Sequence, residues 1–182
     1  MDIKRRLVLA ALAVLESEGA QAFSTRAVCA RATVTAPTLY HHFGTADGLL
    51  SAAIDEAFAQ FLVRKQAAPP ADDEIAALAA GWNDYVAFAA ERPRLYALMF
   101  ARLLQGADIP AATQSRAILL RRLEAIDRDG RLRLPPPDAA DLVWASAHAA
   151  AMLWVTSTSP PSPEVLHVLR EAALRSLLAP EP

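Results

Sequence analysis

The hydrophobic positions of this 182-residue chain recur at helical spacing, and alternating strand patterns are absent. Proline-rich breaks at 67–71, 106–110, 134–137 and 159–163 separate the later stretches. Asp72 and Asp138 are suitable helix N-caps, and Pro93 and Pro163 stand where a first turn tolerates proline. The pattern predicts helices at about Asp47–Gln66, Asp72–Glu91, Pro93–Leu104, Ala111–Arg128, Asp138–Ser157 and Pro163–Leu178.

Residues 24–43 predict two short helices joined by a tight turn. Ser24 or Thr25 can cap the first helix, because a hydroxyl accepts from the unpaired amides of a first turn. The buried side of that helix is predicted to be Val28, Cys29 and Ala32.

The second short helix, Thr35–His42, is predicted to begin with Thr35 as its cap and Pro37 in its first turn. Leu39 and Phe43 lie four residues apart and are expected to face inward. The outward positions are small, hydroxylated or aromatic, which suits contact with phosphates and base edges: Ala36, Pro37, Thr38, Tyr40 and His41. The segment is therefore predicted to be a helix-turn-helix that reads DNA.

The sequence PTLYHHF at 37–43, with ATVT before it and ADGLL after it, resembles the DNA-binding domain of TetR-family transcriptional regulators over about Leu7 to Phe61. The resemblance implies a three-helix head of Asp2–Glu18, Thr25–Ala32 and Thr35–His42, with a long fourth helix from Thr45 or Ala46. The fold expected for the whole chain is all-α with about nine helices. The expected domains are a DNA-binding head at 1–45, a connecting helix at about 47–66 and an effector-binding and dimerisation body at 67–182.

The resemblance also implies the DNA-contacting residues. The positions that match phosphate contacts are Thr25, Thr38, Tyr40 and His42, and those near base edges are Arg26, Ala36, Pro37 and His41, with Thr35 beside them. Arg26 is either a bidentate contact to guanine, worth about 1 to 3 kcal/mol of discrimination, or a solvated charge. The adjacent histidines are not expected to bind a metal, because they point about a third of a turn apart.

Two positions depart from the family pattern. Thr33 replaces a glycine expected to have positive φ, which strains a β-branched residue by about 1 to 3 kcal/mol. Ala46 replaces a lysine that contacts a phosphate in the family. The slope of log DNA affinity against log salt concentration is therefore expected to be smaller by about one unit.

Aromatic residues on the later helices are candidates for a largely apolar effector site or for the core. The candidate residues are Trp82, Tyr85, Tyr96, Met99, Phe100, Leu103, Trp144, His148 and Met152. Residues 92–100 and 143–149 resemble the TetR subgroup whose C-terminal domain is named for tryptophan, histidine and glycine, although Ala149 replaces the glycine. His148 is either a hydrogen-bonded core residue, the preferred interpretation, or an effector contact beside Trp144.

The last two helices, at about 138–157 and 163–178, are expected to form a four-helix homodimer interface, as in the family. Their apolar stripes are Ala140, Val143, Ala147, Ala150, Ala151 and Trp154, and then Val165, Leu166, Leu169, Ala173 and Leu177. The alternative is that both stripes pack within one subunit. A dimer is preferred because two heads are needed to span half-sites about 34 Å apart.

Composition limits the remaining function classes. The chain is 54% hydrophobic with a net charge of −2, and residues 1–45 are mildly basic, with five Lys/Arg against three Asp/Glu. Cys29 is the only cysteine, so a buried packing role is expected, and neither an intramolecular disulfide nor a cysteine zinc site is possible. The four histidines are split between head and body, so neither catalysis, a metal nor a cofactor is expected. The sequence shows no signal peptide or spanning segment, and a cytoplasmic protein is expected.

The predicted function is a homodimeric transcriptional regulator, most simply a repressor. Its partners are a double-stranded, palindromic DNA operator and a small apolar effector. Effector binding is expected to shift the population by moving the Asp47–Gln66 helix and splaying the heads. The alternative is a ligand-binding protein of the same fold with weak or lost operator binding, to which Thr33 and Ala46 would point.

Overall fold

The computed structural model describes residues 2–66, 73–106 and 110–179. Within these ranges the regular secondary structure is helical, apart from one isolated antiparallel bridge between Leu132 and Leu178. A 3₁₀ turn at Ala20–Ala22 joins the first two α-helices. The helices described are α1 Ile3–Glu18, α2 Thr25–Ala32, α3 Ala36–Phe43, α4 Ala46–Gln66, α5 Glu74–Glu91, α6 Pro93–Leu104, α7 Pro110–Arg128, α8 Pro136–Thr156 and α9 Pro163–Leu177. The all-α prediction of about nine helices is confirmed for this part of the chain.

The chain divides into two compact units. The first unit comprises residues 1–63 and 94–111, so α6 packs with α1 to α4. Its core consists of Leu7, Ala10, Ala11, Val14, Leu15, Val28, Cys29, Ala32, Leu39, Leu49 and Ala53. Five of these eleven apolar side chains come from α1. Their burial together fixes the short helices α2 and α3, which are too short to be stable alone.

The second unit comprises residues 64–93 and 112–182, and its core is formed by α5, α7, α8 and α9. The buried residues are Leu78, Trp82, Val86, Leu123, Ile126, Ala139, Ala140, Val143, Ala147, Ala150, Leu174 and Leu177. The alanines of α8 leave room for the larger side chains of α5 and α9. Backbone bonds from Arg133 N to Leu177 O and from Ala179 N to Arg131 O hold the end of α9 against the segment before α8.

Several helix ends differ from the predicted ones. Helix α8 begins at Pro136 rather than Asp138, and its N-cap position is Pro135, so the prediction that Asp138 caps this helix is wrong. Because proline has a fixed φ and a first turn needs no amide donor, the helix can begin two residues earlier. The predicted cap Asp72 lies outside the described residues.

Helix α5 is capped by Asp73, which accepts from the amide of Ala76 at 3.2 Å. The Arg131 guanidinium also donates to Asp73 at 2.8 Å. The hydrogen bond from Arg131, assisted by the backbone amides, holds the pKa of Asp73 below its ordinary value. The cap therefore carries a charge that joins α5 to the segment after α7.

The prediction that the apolar stripe of α8 faces a second subunit is wrong. Ala140, Val143, Ala147, Ala150 and Ala151 are all buried within the single chain, where α8 packs against α5 and α9. On α9, Ala173 and Leu177 are also buried. Small apolar residues fit an internal helix contact as well as an intersubunit contact, so the pattern alone did not separate the two.

Candidate nucleic-acid interface

The turn between α2 and α3 is formed by a left-handed residue. Ser24 caps α2 by accepting from the amide of Ala27 at 3.2 Å, as predicted. At the other end Thr33 has φ 53° and ψ 52°, and Val34 donates across the turn to the carbonyl of Cys29 at 3.1 Å. The predicted positive φ is therefore present with a β-branched residue, and the two-helix geometry is retained.

Helix α3 is held by one fully buried residue. Leu39 has no exposed surface, and Phe43 packs against the same core, so their predicted inward orientation is confirmed. Thr35 occupies the N-cap position as expected, but it makes no side-chain bond to an amide. Its hydroxyl instead pairs with the hydroxyl of Thr38 at 2.9 Å. The prediction that Thr35 caps through its side chain is wrong, because its hydroxyl pairs with that of Thr38 instead.

The opposite side of α3 faces solvent. Tyr40 is 46% exposed, so its ring and hydroxyl are open to a partner. The other candidate DNA-contacting residues of α2 and α3 are exposed or half-buried: Thr25, Arg26, Thr35, Ala36, Pro37, Thr38, His41 and His42. The rings of His41 and His42 meet edge to face at 5.3 Å between centroids. The short helix thus presents its small and aromatic residues together on its open side.

Cys29 lies in the core under this surface. It is buried in α2, and burial raises the pKa of its thiol. A thiol with a raised pKa is a poor nucleophile at neutral pH, which agrees with the expected packing role.

Helices α3 and α4 approach each other closely where the chain turns between them. Gly44 ends α3 with φ 68° and donates to the carbonyl of Tyr40, and Thr45 Oγ1 accepts from the amide of Gly48 at 2.9 Å. A Cβ placed on Gly48 would lie 2.4 Å from the carbonyl oxygen of Phe43. Only glycine allows this approach, so the last turn of α3 rests directly on the first turn of α4.

The candidate effector-binding residues are found in both units. On α6 in the first unit, Tyr96 and Met99 are buried and Phe100 and Leu103 are half-buried. In the second unit, Trp82 is buried in the α5–α8 core and Tyr85 packs against it. Trp82 donates to Ser146 Oγ at 3.0 Å, which satisfies its indole nitrogen across two helices.

The pair on α8 is more open than expected. Trp144 is 43% exposed, so of the two interpretations offered for it, the core one does not hold within this chain. Its ring stacks on that of His148, and Met152 is half-buried one turn further on. Partial burial lowers the pKa of His148 and favours the neutral imidazole.

Family models match both parts of the chain. The model described as bacterial regulatory proteins of the tetR family matches residues 7–53, and a tetracycline repressor-like C-terminal domain matches residues 78–177, more than half of the chain. The chain belongs to the TetR family. It is thereby a transcription regulator of the DNA-binding helix-turn-helix type, and the predicted resemblance is confirmed. Its likeness to the tryptophan-histidine-glycine subgroup stays a prediction.

Solved structures share the TetR fold over nearly the whole chain. A protein of unknown function from Rhodococcus sp. RHA1 has a TM-score of 0.81 at 23% identity, covering 98% of this chain and 97% of its own. A TetR family transcription regulator from Marinobacter aquaeolei VT8 has a TM-score of 0.74 at 15% identity, covering 98% and 96%. A TetR-family regulator from Pectobacterium atrosepticum has a TM-score of 0.71 at 24% identity, covering 95% and 89%. No curated protein matches the sequence.

The sequence did not reveal two residues that shape this TetR head. Gly48 stands in the ADGLL segment, but the sequence does not indicate that it lies close to the carbonyl of Phe43. Arg102 on α6 donates to Asp47 on α4, across 55 positions of sequence. The described helices include none that is long and apolar enough to cross a bilayer.

Proposed function

We propose that this TetR-family protein is a homodimeric repressor that binds a palindromic operator and leaves it when a small, largely apolar effector binds. The observation that supports DNA recognition is the solvent-exposed face of α3. Leu39 anchors the helix from below, while Pro37, Tyr40 and His41 are exposed above it. A short helix fixed by its inner face can enter a major groove with its outer residues against base edges.

The DNA contacts divide into two groups by chemistry. Thr25, Thr38, Tyr40 and His42 donate to phosphates and set the register, and Thr35 supports Thr38. Arg26, Ala36, Pro37 and His41 lie near base edges and set the sequence preference. The left-handed turn at Thr33 supports this function over the alternative of lost operator binding, because the two helices keep their motif geometry.

The proposed dimer uses the exposed side of the segments 138–157 and 163–178. On α8 this side carries Ala149, and on α9 it carries Val165 and Val168, which are 47% and 54% exposed. The proposal is that a second copy covers these exposed apolar residues on two adjacent helices. A two-fold axis there supplies two heads for two half-sites.

The proposed effector contacts are aromatic and apolar residues that form a separate set in each unit. Trp82, Tyr85, Trp144, His148 and Met152 lie in the second unit, and Tyr96, Met99, Phe100 and Leu103 lie on α6. Rings with one polar atom suit a ligand that is mostly apolar and oriented by few hydrogen bonds. An effector that moves α4 would need a coupling of about 1 to 3 kcal/mol to change operator affinity between 5-fold and 150-fold.

Selection from a random pool of DNA duplexes tests the DNA-reading function. The purified protein is expected to enrich a two-fold symmetric sequence with half-sites one helical turn apart, and to bind it as two subunits with strong salt dependence. Enrichment of no sequence, with only nonspecific binding at low salt, would favour the alternative of lost recognition.

Effector responsiveness needs a separate measurement. A library of apolar small molecules is screened by thermal shift, and the stabilising compounds are titrated into the complex of protein and selected duplex. Release of the duplex is expected with at least one compound. Compounds that bind the protein and leave duplex affinity unchanged would contradict the repressor mechanism while leaving DNA reading intact.

A further inference from the structure

One face of α6 is attached to the head at three points spaced four residues apart. Arg94 donates from Nη1 to the carbonyl of Ser17 at 2.6 Å, at the end of α1. Leu98 packs against the buried core of the head. Arg102, one turn further on, reaches the beginning of α4. Residues at this spacing share one helix face, so α6 lies along the head from α1 to α4.

Arg102 makes a forked, bidentate contact with α4. Its Nη1 donates to Asp47 Oδ1 at 3.0 Å, and its Nη2 donates to Asp47 Oδ2 at 3.3 Å and to Ser51 Oγ at 2.5 Å. The Arg102 side chain is 20% exposed, whereas that of Asp47 is 69% exposed. A two-pronged, charge-assisted contact fixes both the position and the orientation of its acceptor.

Asp47 and Ser51 are one turn apart and lie on either side of Gly48 in the chain. Gly48 is the residue on which the carbonyl of Phe43, at the end of the recognition helix α3, rests. Arg102 therefore holds the same turn of α4 that supports α3. Only Gly44 and Thr45 separate the two helices, and Thr45 donates to the carbonyl of Phe43 at 2.7 Å while its hydroxyl accepts from Gly48 at 2.9 Å. A shift of that turn of α4 therefore carries the end of α3 with it.

We infer that Arg102 is a positioning residue for DNA recognition, acting through Asp47, Ser51 and Gly48 on the recognition helix without touching DNA. The inference rests on DNA binding by the head. It gives α6 a role in setting operator affinity even when no effector is bound. Arg94, at the opposite end of the same helix face, attaches α6 to α1 away from this corner and has no such role.

The test compares three variants on the duplex selected by the wild-type protein. Arg102→Met keeps the apolar stem but removes the fork, and it is expected to weaken duplex binding about tenfold, since hydrogen bonds to charged groups are among the strong ones. The slope of log Kd against log salt is expected to stay unchanged, because no phosphate contact is lost. Arg94→Met is the matched control and is expected to keep wild-type affinity with a comparable loss of thermal stability.

The double variant Arg102→Met/Asp47→Asn separates positioning from charge. If Arg102 merely neutralised Asp47, removing both charges would restore binding. The inference expects the double variant to bind as weakly as Arg102→Met. Restored binding, a salt slope reduced by about one unit or equal weakening by Arg94→Met would each overturn the inference.

Two further outcomes are distinguishable. If Arg102→Met does not fold, Ser51→Ala is used instead, because it removes one of the acceptors of the Arg102 guanidinium. This variant is also expected to bind the duplex more weakly than wild type. Wild-type affinity of Ser51→Ala would overturn the inference. If the wild-type protein enriches no duplex, the DNA-binding function itself fails. If the wild type binds and Arg102→Met binds equally well, only the role of Arg102 fails.

Discussion

Trp144 stacks face to face on His148 one turn further along α8, with ring centroids 5.2 Å apart and planes 3° apart. The tryptophan is 43% exposed, and the imidazole is half-buried. Loss of water around the imidazole lowers the pKa of His148. Partial burial therefore favours a neutral histidine in this stack.

Acidification is expected to weaken the fold through His148. The pKa of this residue is lower in the folded than in the unfolded chain, where it is about 6.5. As pH falls through that value, the unfolded chain binds the proton more readily, so the free energy of unfolding decreases until the folded pKa is passed. Urea denaturation of wild type and His148→Gln between pH 8 and pH 5 measures this. The advantage of wild type over the variant should shrink towards pH 5, and a constant difference would contradict the assignment.

Replacement of Thr33 by glycine is expected to stabilise the protein. A threonine with φ 53° is strained by about 1 to 3 kcal/mol, whereas glycine adopts this conformation freely. Part of the gain is offset by the greater freedom of glycine in the unfolded chain, so about 1 kcal/mol should remain. The control Ala30→Gly, on the exposed side of the same helix, should lose about 0.5 to 1 kcal/mol. Thermal denaturation that shows both variants destabilised would mean that Thr33 is relaxed.

Two adjacent alanines of α8 distinguish its inner and outer faces. Ala150 is fully buried in the body, so Ala150→Leu should cost about 1 to 3 kcal/mol by overpacking. Ala149 is exposed on the single chain, so Ala149→Leu should change monomer stability by no more than about 0.5 kcal/mol. In the proposed dimer the added leucine would separate the two copies of α8. Sedimentation should therefore show weaker self-association for Ala149→Leu, and unchanged association would remove α8 from the interface.

Local chemistry explains which features the sequence predicted. Ser24 bonds within one turn of its own helix, and the four-residue spacing of Leu39 and Phe43 places both on one helix face, so their roles follow from spacing. The inner and outer faces of α8 could not be assigned, because alanine fits either a subunit core or a dimer contact. The sequence predicts the beginning of α8 two residues too late, because Asp138 is a better N-cap residue than Pro135, which occupies the N-cap position.

Long-range contacts explain what the sequence missed. Arg102 and Asp47 are 55 residues apart, and many charged pairs in the chain would be equally consistent with the sequence. Trp82 and Ser146 are 64 residues apart, and nothing in either helix indicates that the indole finds its acceptor there. Such pairs are set by how helices cross, which depends on the whole core.

Arg26 is the residue whose replacement tests base reading. It lies exposed in the first turn of α2, one residue after Thr25. If Arg26 makes a bidentate contact to guanine, Arg26→Ala should flatten discrimination at one base pair of each half-site by about 1 to 3 kcal/mol. Binding to duplexes substituted at each position of the selected sequence measures this.

Arg31→Ala, in the last turn of the same helix, is the matched control for Arg26→Ala. It removes the same charge and should leave the discrimination pattern unchanged. A base contact requires a loss confined to one position, because only that base pair offers the guanine acceptors. A loss that is equal for all duplexes, with a salt slope reduced by about one unit, would instead identify Arg26 as a phosphate contact.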